Sequence, residues 1–217
     1  MEKILSLPRS VVFCLKHLPF RQAIKMPIAV AWNTKTIGGG KIVIATDMLS
    51  SAMIRIGFHK VAVCPPNDRT VLAISKGGTL VFEGTAHIGR GTKIHVANHA
   101  TLTLGDNFAV SASSQFNCYK RISFGRDIQF SWDCLVMDSD THEILDETGQ
   151  RCNANRDIVF GDHVWIGCRT TILKGTTIPN HCVIGAQSLL SGTKFSPNTI
   201  IAGSPAKSIR KIGNWKL

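Results

Sequence analysis

From residue 160 onward an apolar side chain recurs at every sixth position: Phe160, Ile166, Ile172, Ile178, Ile184 and Leu190. Four residues after each of the first five stands a small or β-branched residue: Val164, Thr170, Thr176, Cys182 and Ser188. A helix repeats every 3.6 residues and a strand every 2, so neither alone demands a period of six. Three six-residue edges that close a triangular coil do demand it. The larger apolar residue fills the coil interior, the smaller one packs beside it, and glycines or polar residues turn the corners. The fold class expected is therefore all-β, a parallel β-helix whose coils bury their faces only against neighbouring coils.

The same beat runs upstream through Ile88 and Ile94, slips, and continues at Leu104, Val110, Phe116 and Ile122. A two-residue shift restarts it at Phe124, Phe130 and Val136. Six residues after Val136 it should find another apolar residue, and it finds His142, in the stretch VMDSDTHEI. The beat resumes only at Phe160, and the polar run between them reads as a loop leaving the coil over residues 143–157. A local rule broken once in a regular array marks a place where function is expected.

The first thirty residues carry amphipathic helical stretches interrupted by Pro8, Pro19 and Pro27. They read as a cap over the open end of the solenoid, with docking on an anionic membrane as the alternative; one segment can do both. The chain thus divides into a cap over 1–65, the β-helix over 66–205, and a short basic extension over 206–217 that packs Trp215 back on the body.

The net charge of +11, with basic residues crowding both ends, calls for an anionic partner. Nucleic acid is not expected, since no helix-turn-helix, zinc motif or aromatic-basic platform is present. Seven scattered cysteines without a CxxC pair fit reduced thiols in a cytoplasmic protein, mostly as interior fillers. There is no apolar run long enough to span a bilayer.

The hexads, the segment GDHVWIGCRTTILKGTTIPNHCVIGAQSLLSG and the turn IAGSPAKSIRK together resemble the left-handed β-helix acyltransferases of the hexapeptide-repeat superfamily. SWDCLVMDSDTHEI followed by VWIG, and LPFRQAIKMPI near the start, are similar to O-acetyltransferases of capsular or lipopolysaccharide sugars. The resemblance implies a homotrimer that uses acetyl-CoA, with each active site in a groove between adjacent β-helices. It places the catalytic base at His142 and sets Trp165 of VWIG beside the reacting thioester. Cys168, Ala186 and Ser191 would line the pantetheine path, and Lys207 and Arg210 would meet the CoA phosphates.

Acetyl transfer to an alcohol needs a base to take the hydroxyl proton, donors for the oxyanion, and two substrates held in contact. His142 fits the first need. Asp140 is the leading candidate to support its imidazole and Asp138 the second, although for Asp138 an Asp-rich solvated turn is an equally simple explanation. Asn117, Tyr119 and Lys120 lie one coil below His142 if the coils stack in register, within reach of a carbohydrate acceptor. His95 and His99 have a helical metal spacing but fall in solenoid, so no metal is expected. His163 and His181 sit at hexad turns and read as exposed. Rival readings are transfer to another acceptor, such as a nucleotide-sugar amine, serine or a soluble sugar, and a β-helix scaffold without activity.

Overall fold

In the computed structural model, which describes residues 2–58, 61, 64–65 and 67–216, every predicted hexad residue points into a triangular prism. The six large and five small residues that set the period after residue 160 are all at most 3% exposed, and those of the upstream beat are buried as well. Three parallel sheets of nine, seven and six strands form the prism walls. The nine-stranded wall ends in one antiparallel hairpin strand, Ala206–Lys211. This is a left-handed β-helix with a small helical cap.

Threonine and serine are tolerated inside because each hydroxyl is paired. Thr170, Thr176 and Ser188 donate to the carbonyls of Gly167, Leu173 and Gly185, each three residues back, at 2.7–2.8 Å. Such pairing removes most of the cost of burying a hydroxyl. Mid-prism, the interior is an aromatic column of Phe108, Phe116, Phe124, Phe130 and Phe160, with ring centroids 4.6–6.1 Å apart. The upstream slips in the beat have a simple origin in coil length. Phe108 pairs with Ala86, 22 residues earlier, whereas Val183 pairs with Trp165, only 18 earlier. The extra residues sit at corners, so the interior phase is kept while the count shifts.

Two expectations are corrected. Strand Ile28–Val30 pairs with Ile54–Phe58, and Lys35–Gly38 with Val71–Ile74, so the coils begin at Ile28 inside the segment assigned to the cap. These first coils escaped the hexad search because paired residues lie 26 to 38 positions apart there. Only helix α1 (Glu2–His17) and the short helix α2 (Phe20–Ala23) stand outside the strands at this end. Moreover, α1 runs through Pro8 rather than breaking there. Pro8 is exposed, so solvent can take the carbonyl its ring frees.

At the corner between the third and first walls, side chains bridge successive coils. Asp106 accepts from the Thr85 backbone N–H at 2.7 Å, and Asp162 from that of Arg126 at 2.8 Å. These bonds hold both carboxyls below their ordinary range. A depressed folded pKa contributes stability that is complete above the unfolded value of about 3.9 and lost as pH falls through the folded value. The contribution of these two carboxylates should therefore be level from neutrality down to about pH 4.5 and drop below it, read as the difference in thermal midpoint between wild type and Asp106→Asn/Asp162→Asn.

Five of the seven cysteines are buried, as expected of fillers. Burial pushes the Cys134 thiol up to about 11, which keeps it protonated and unreactive. Among the described residues no helix is long and apolar enough to cross a membrane.

Candidate active site

The coil departs from its path after strand Leu135–Met137 and returns at Ile158–Phe160. Asp138 is completely buried at the exit. Its carboxylate accepts backbone N–H bonds from Tyr119, Lys120 and Arg121 at 2.7–2.8 Å, closing the corner of the coil beneath. Asp138 is thus committed to the backbone rather than to an imidazole. Three residues later Thr141 has φ 62°, a left-handed conformation that a β-branched residue rarely adopts. That bend throws His142 outward, and its side chain is exposed.

The Asp140 carboxylate takes a short ion-paired bond from Lys174 and a 2.8 Å bond from Asn153 Nδ2, and Lys174, with Asn153, holds its pKa low. The same Asn153 amide donates to the His142 carbonyl at 2.8 Å, and its oxygen accepts from the Ile144 N–H at 2.8 Å. Asn153 therefore clamps both sides of His142, and Asp140 and Lys174 anchor the clamp. Neither Asn153 nor Lys174 was picked out from the sequence. Asn153 lies in the loop without a period, and Lys174 is one of many corner lysines until the register sets it one coil above Asp140.

The coil beneath carries the expected acceptor candidates. Asn117 pairs with Met137, and Tyr119 stands beside it with its ring 5.2 Å from that of His95. Lys120 is engaged by Asp157 at 2.9 Å, pinning the returning end of the excursion. His95 packs edge-on against that tyrosine, and no metal-ligating cluster occurs among the described residues.

The remaining candidates lie elsewhere on the prism. Trp165 points outward from the nine-stranded wall, 43% exposed, with the Trp215 ring 6.3 Å away. Trp215 stacks on His163 at 4.1 Å. His163 also contacts the Asp127 carboxylate and accepts Trp215 Nε1–H at its carbonyl, so it is partly buried rather than exposed as expected. Cys168 and Ala186 occupy the next corner in successive coils, where the Gln187 N–H bonds the Cys168 carbonyl at 2.9 Å. The packing is tight here: a Cβ on Gly167 would fall 2.6 Å from the Ala186 nitrogen, which explains the glycine of VWIG. The next coil supplies Ala202, paired with Lys207, and Ile200, paired with Arg210. A continuous surface therefore leads from Trp165 past Cys168 and Ala186 to two exposed cations. Among the described residues neither Lys207 nor Arg210 is paired with a carboxylate. Ser191 does not join this run; it pairs with Leu173 on the seven-stranded wall.

His142 emerges where the seven- and six-stranded walls meet, the vertex opposite the wall that carries Trp165. Within one chain the two are not brought together.

No family model matches the sequence. WbbJ of Escherichia coli K12, assigned as an O-acetyl transferase of lipopolysaccharide biosynthesis, is 27% identical over 151 residues, 65% of this chain and 76% of that protein. The polysialic acid O-acetyltransferase of Neisseria meningitidis is 40% identical over 56 residues, about a quarter of each chain (25% and 26%). The crystal structure of the polySia-specific acetyltransferase NeuO superposes with a TM-score of 0.51 at 21% identity, covering 88% of this chain and 89% of that one. The sequence relatives are acetyltransferases and the structural match shares the β-helix fold, so the chain is similar to the left-handed β-helix acyltransferases of the hexapeptide-repeat type. Within that class the chain resembles the O-acetyltransferases of lipopolysaccharide and polysialic acid.

Proposed function

We propose that the protein is an acetyl-CoA-dependent O-acetyltransferase acting on a sugar hydroxyl of a surface polysaccharide or its precursor. The observation that carries this reading is the division of the candidate residues between two faces. Trp165, Cys168, Ala186, Lys207 and Arg210 form one continuous surface, while His142 stands at the opposite vertex above Asn117 and Tyr119. A groove between two adjacent copies in a homotrimer unites the halves, with one copy offering the donor surface and the next offering the base. A single chain would be inactive on this account.

In that groove Lys207 and Arg210 hold the CoA phosphates, and the small residues at Cys168 and Ala186 leave room for an extended pantetheine. His142 takes the proton of the sugar hydroxyl as its oxygen attacks the thioester carbonyl carbon. The tetrahedral intermediate then expels the thiolate, which receives that proton from the imidazolium. The C–O bond forms in the first step and the C–S bond breaks in the second, and no acyl-enzyme is required. Asp140 acts at one remove, by anchoring the Asn153 clamp that fixes His142.

Incubation with acetyl-CoA labelled in the acetyl group and a panel of capsular and lipopolysaccharide glycans tests this reading. An alkali-labile labelled product supports it; an alkali-stable product would assign the transfer to an amine. Asn153→Ala, which frees the loop without touching the imidazole, should lower kcat about 10- to 100-fold and leave acetyl-CoA affinity unchanged.

A further inference from the structure

Helix α1 is built the wrong way round for a helix that only covers a core. Its inward side carries Ser6 and Ser10, both buried, beside Phe13 and Cys14. The serine hydroxyls accept the Trp32 and Val30 backbone N–H groups at 3.0 and 2.9 Å, tying the helix to the first rung of the nine-stranded wall. Its outward side is apolar: Ile4 is 76% exposed and Val12 64%, with Leu5, Leu7 and Leu15 alongside, and Phe20 on α2 continues the patch at 72%. A surface helix ordinarily shows water the opposite polarity. Contiguous exposed apolar surface of this kind marks an interaction site.

The charges around it select the partner. Residues 4–46 hold six lysines and arginines and no carboxylate. Arg9, Lys16 and His17 line a cleft of about 410 Å³ that adjoins Val12 on the stripe, with the Arg9 guanidinium donating to the Thr34 carbonyl at its edge. A second copy of this face would bring like charges together, which disfavours self-association. An apolar stripe flanked by cations fits the headgroup and acyl boundary of an anionic bilayer. The helix is only 16 residues long, suited to lying in that plane rather than crossing it.

We propose that α1 and α2 dock the protein on an anionic phospholipid surface. The apolar stripe enters the acyl boundary, the exposed Lys16, Arg21 and Lys25 meet lipid phosphates, and the coils stack away from the membrane. This docking is independent of the acetyl-transfer reading.

Flotation of the full chain with vesicles of phosphatidylcholine, with and without phosphatidylglycerol, tests it. The protein should float with the anionic vesicles, and roughly 1 M salt should weaken this by shortening the screening length to about 3 Å. Val12→Asp/Leu15→Asp should lower the bound fraction at least about tenfold while leaving the thermal midpoint and the activity on a soluble acceptor unchanged. Lys16→Glu/Arg21→Glu should abolish the preference for anionic vesicles. Wild-type protein that stays in the bottom fraction with both vesicle types would overturn the proposal, as would a double aspartate variant that floats like wild type. A drop in sedimentation mass for the aspartate variant, without vesicle binding by wild type, would instead assign the stripe to a second copy.

Discussion

His142→Ala is expected to lower kcat for acetyl transfer by about 10²–10⁴-fold, the usual contribution of a positioned general base. The fold should be untouched, because the side chain is exposed and its loop is held by the Asn153 clamp to the His142 backbone carbonyl, which alanine retains. Acetyl-CoA affinity should also be little changed, since on this reading the donor is held by Lys207, Arg210 and the surface leading to them rather than by the imidazole. Residual activity over background would come from holding the two substrates in contact. Mixed trimers give a sharper form of the same experiment. Subunits carrying His142→Ala mixed with subunits carrying Lys207→Ala/Arg210→Ala should regain activity, because some grooves then pair an intact base with an intact donor surface. Full activity of His142→Ala on its own would remove the base from the mechanism.

Asp138→Ala should show the converse pattern, a loss of about 3–5 kcal/mol of stability from three buried backbone donors left without a partner. Asp138→Asn should cost less. An amide oxygen can still accept from Lys120 and Arg121, and only the bond to Tyr119, on the other carboxylate oxygen, is replaced by an N–H facing an N–H. Urea denaturation checks both values. A normal midpoint with activity abolished would instead give Asp138 a direct catalytic role. Two residues four positions apart in VMDSDTHEI thus separate cleanly, one serving the coil and the other the chemistry.

The hexad beat carried the prism because its interior positions are set by a count that survives without tertiary information. Where coils lengthen at their corners the count fails, and for that reason the first coils, from Ile28, look in sequence like part of a cap. The break at His142 was legible for the same reason the beat was. The tasks of its neighbours were not: Asp138, Asp140, Asn153 and Lys174 are distinguished only by what the register brings beneath or beside them. His163 looked like a corner residue, and its φ of 57° agrees, but the returning tail with Trp215 covers it. Likewise the outward face of α1 reads in sequence as ordinary amphipathicity. Only the serine bonds to Val30 and Trp32 reveal which side faces the body.

The central claim, that this prism binds an acetyl-CoA donor along the surface from Trp165 to the Ala206–Lys211 strand, is tested most directly by calorimetric titration of acetyl-CoA. Wild-type protein should give saturable binding, weakened about tenfold or more in Lys207→Ala/Arg210→Ala through loss of two charge-assisted phosphate contacts. A folded, trimeric wild-type protein that releases no heat and shows no binding by a second method such as equilibrium dialysis would contradict the account.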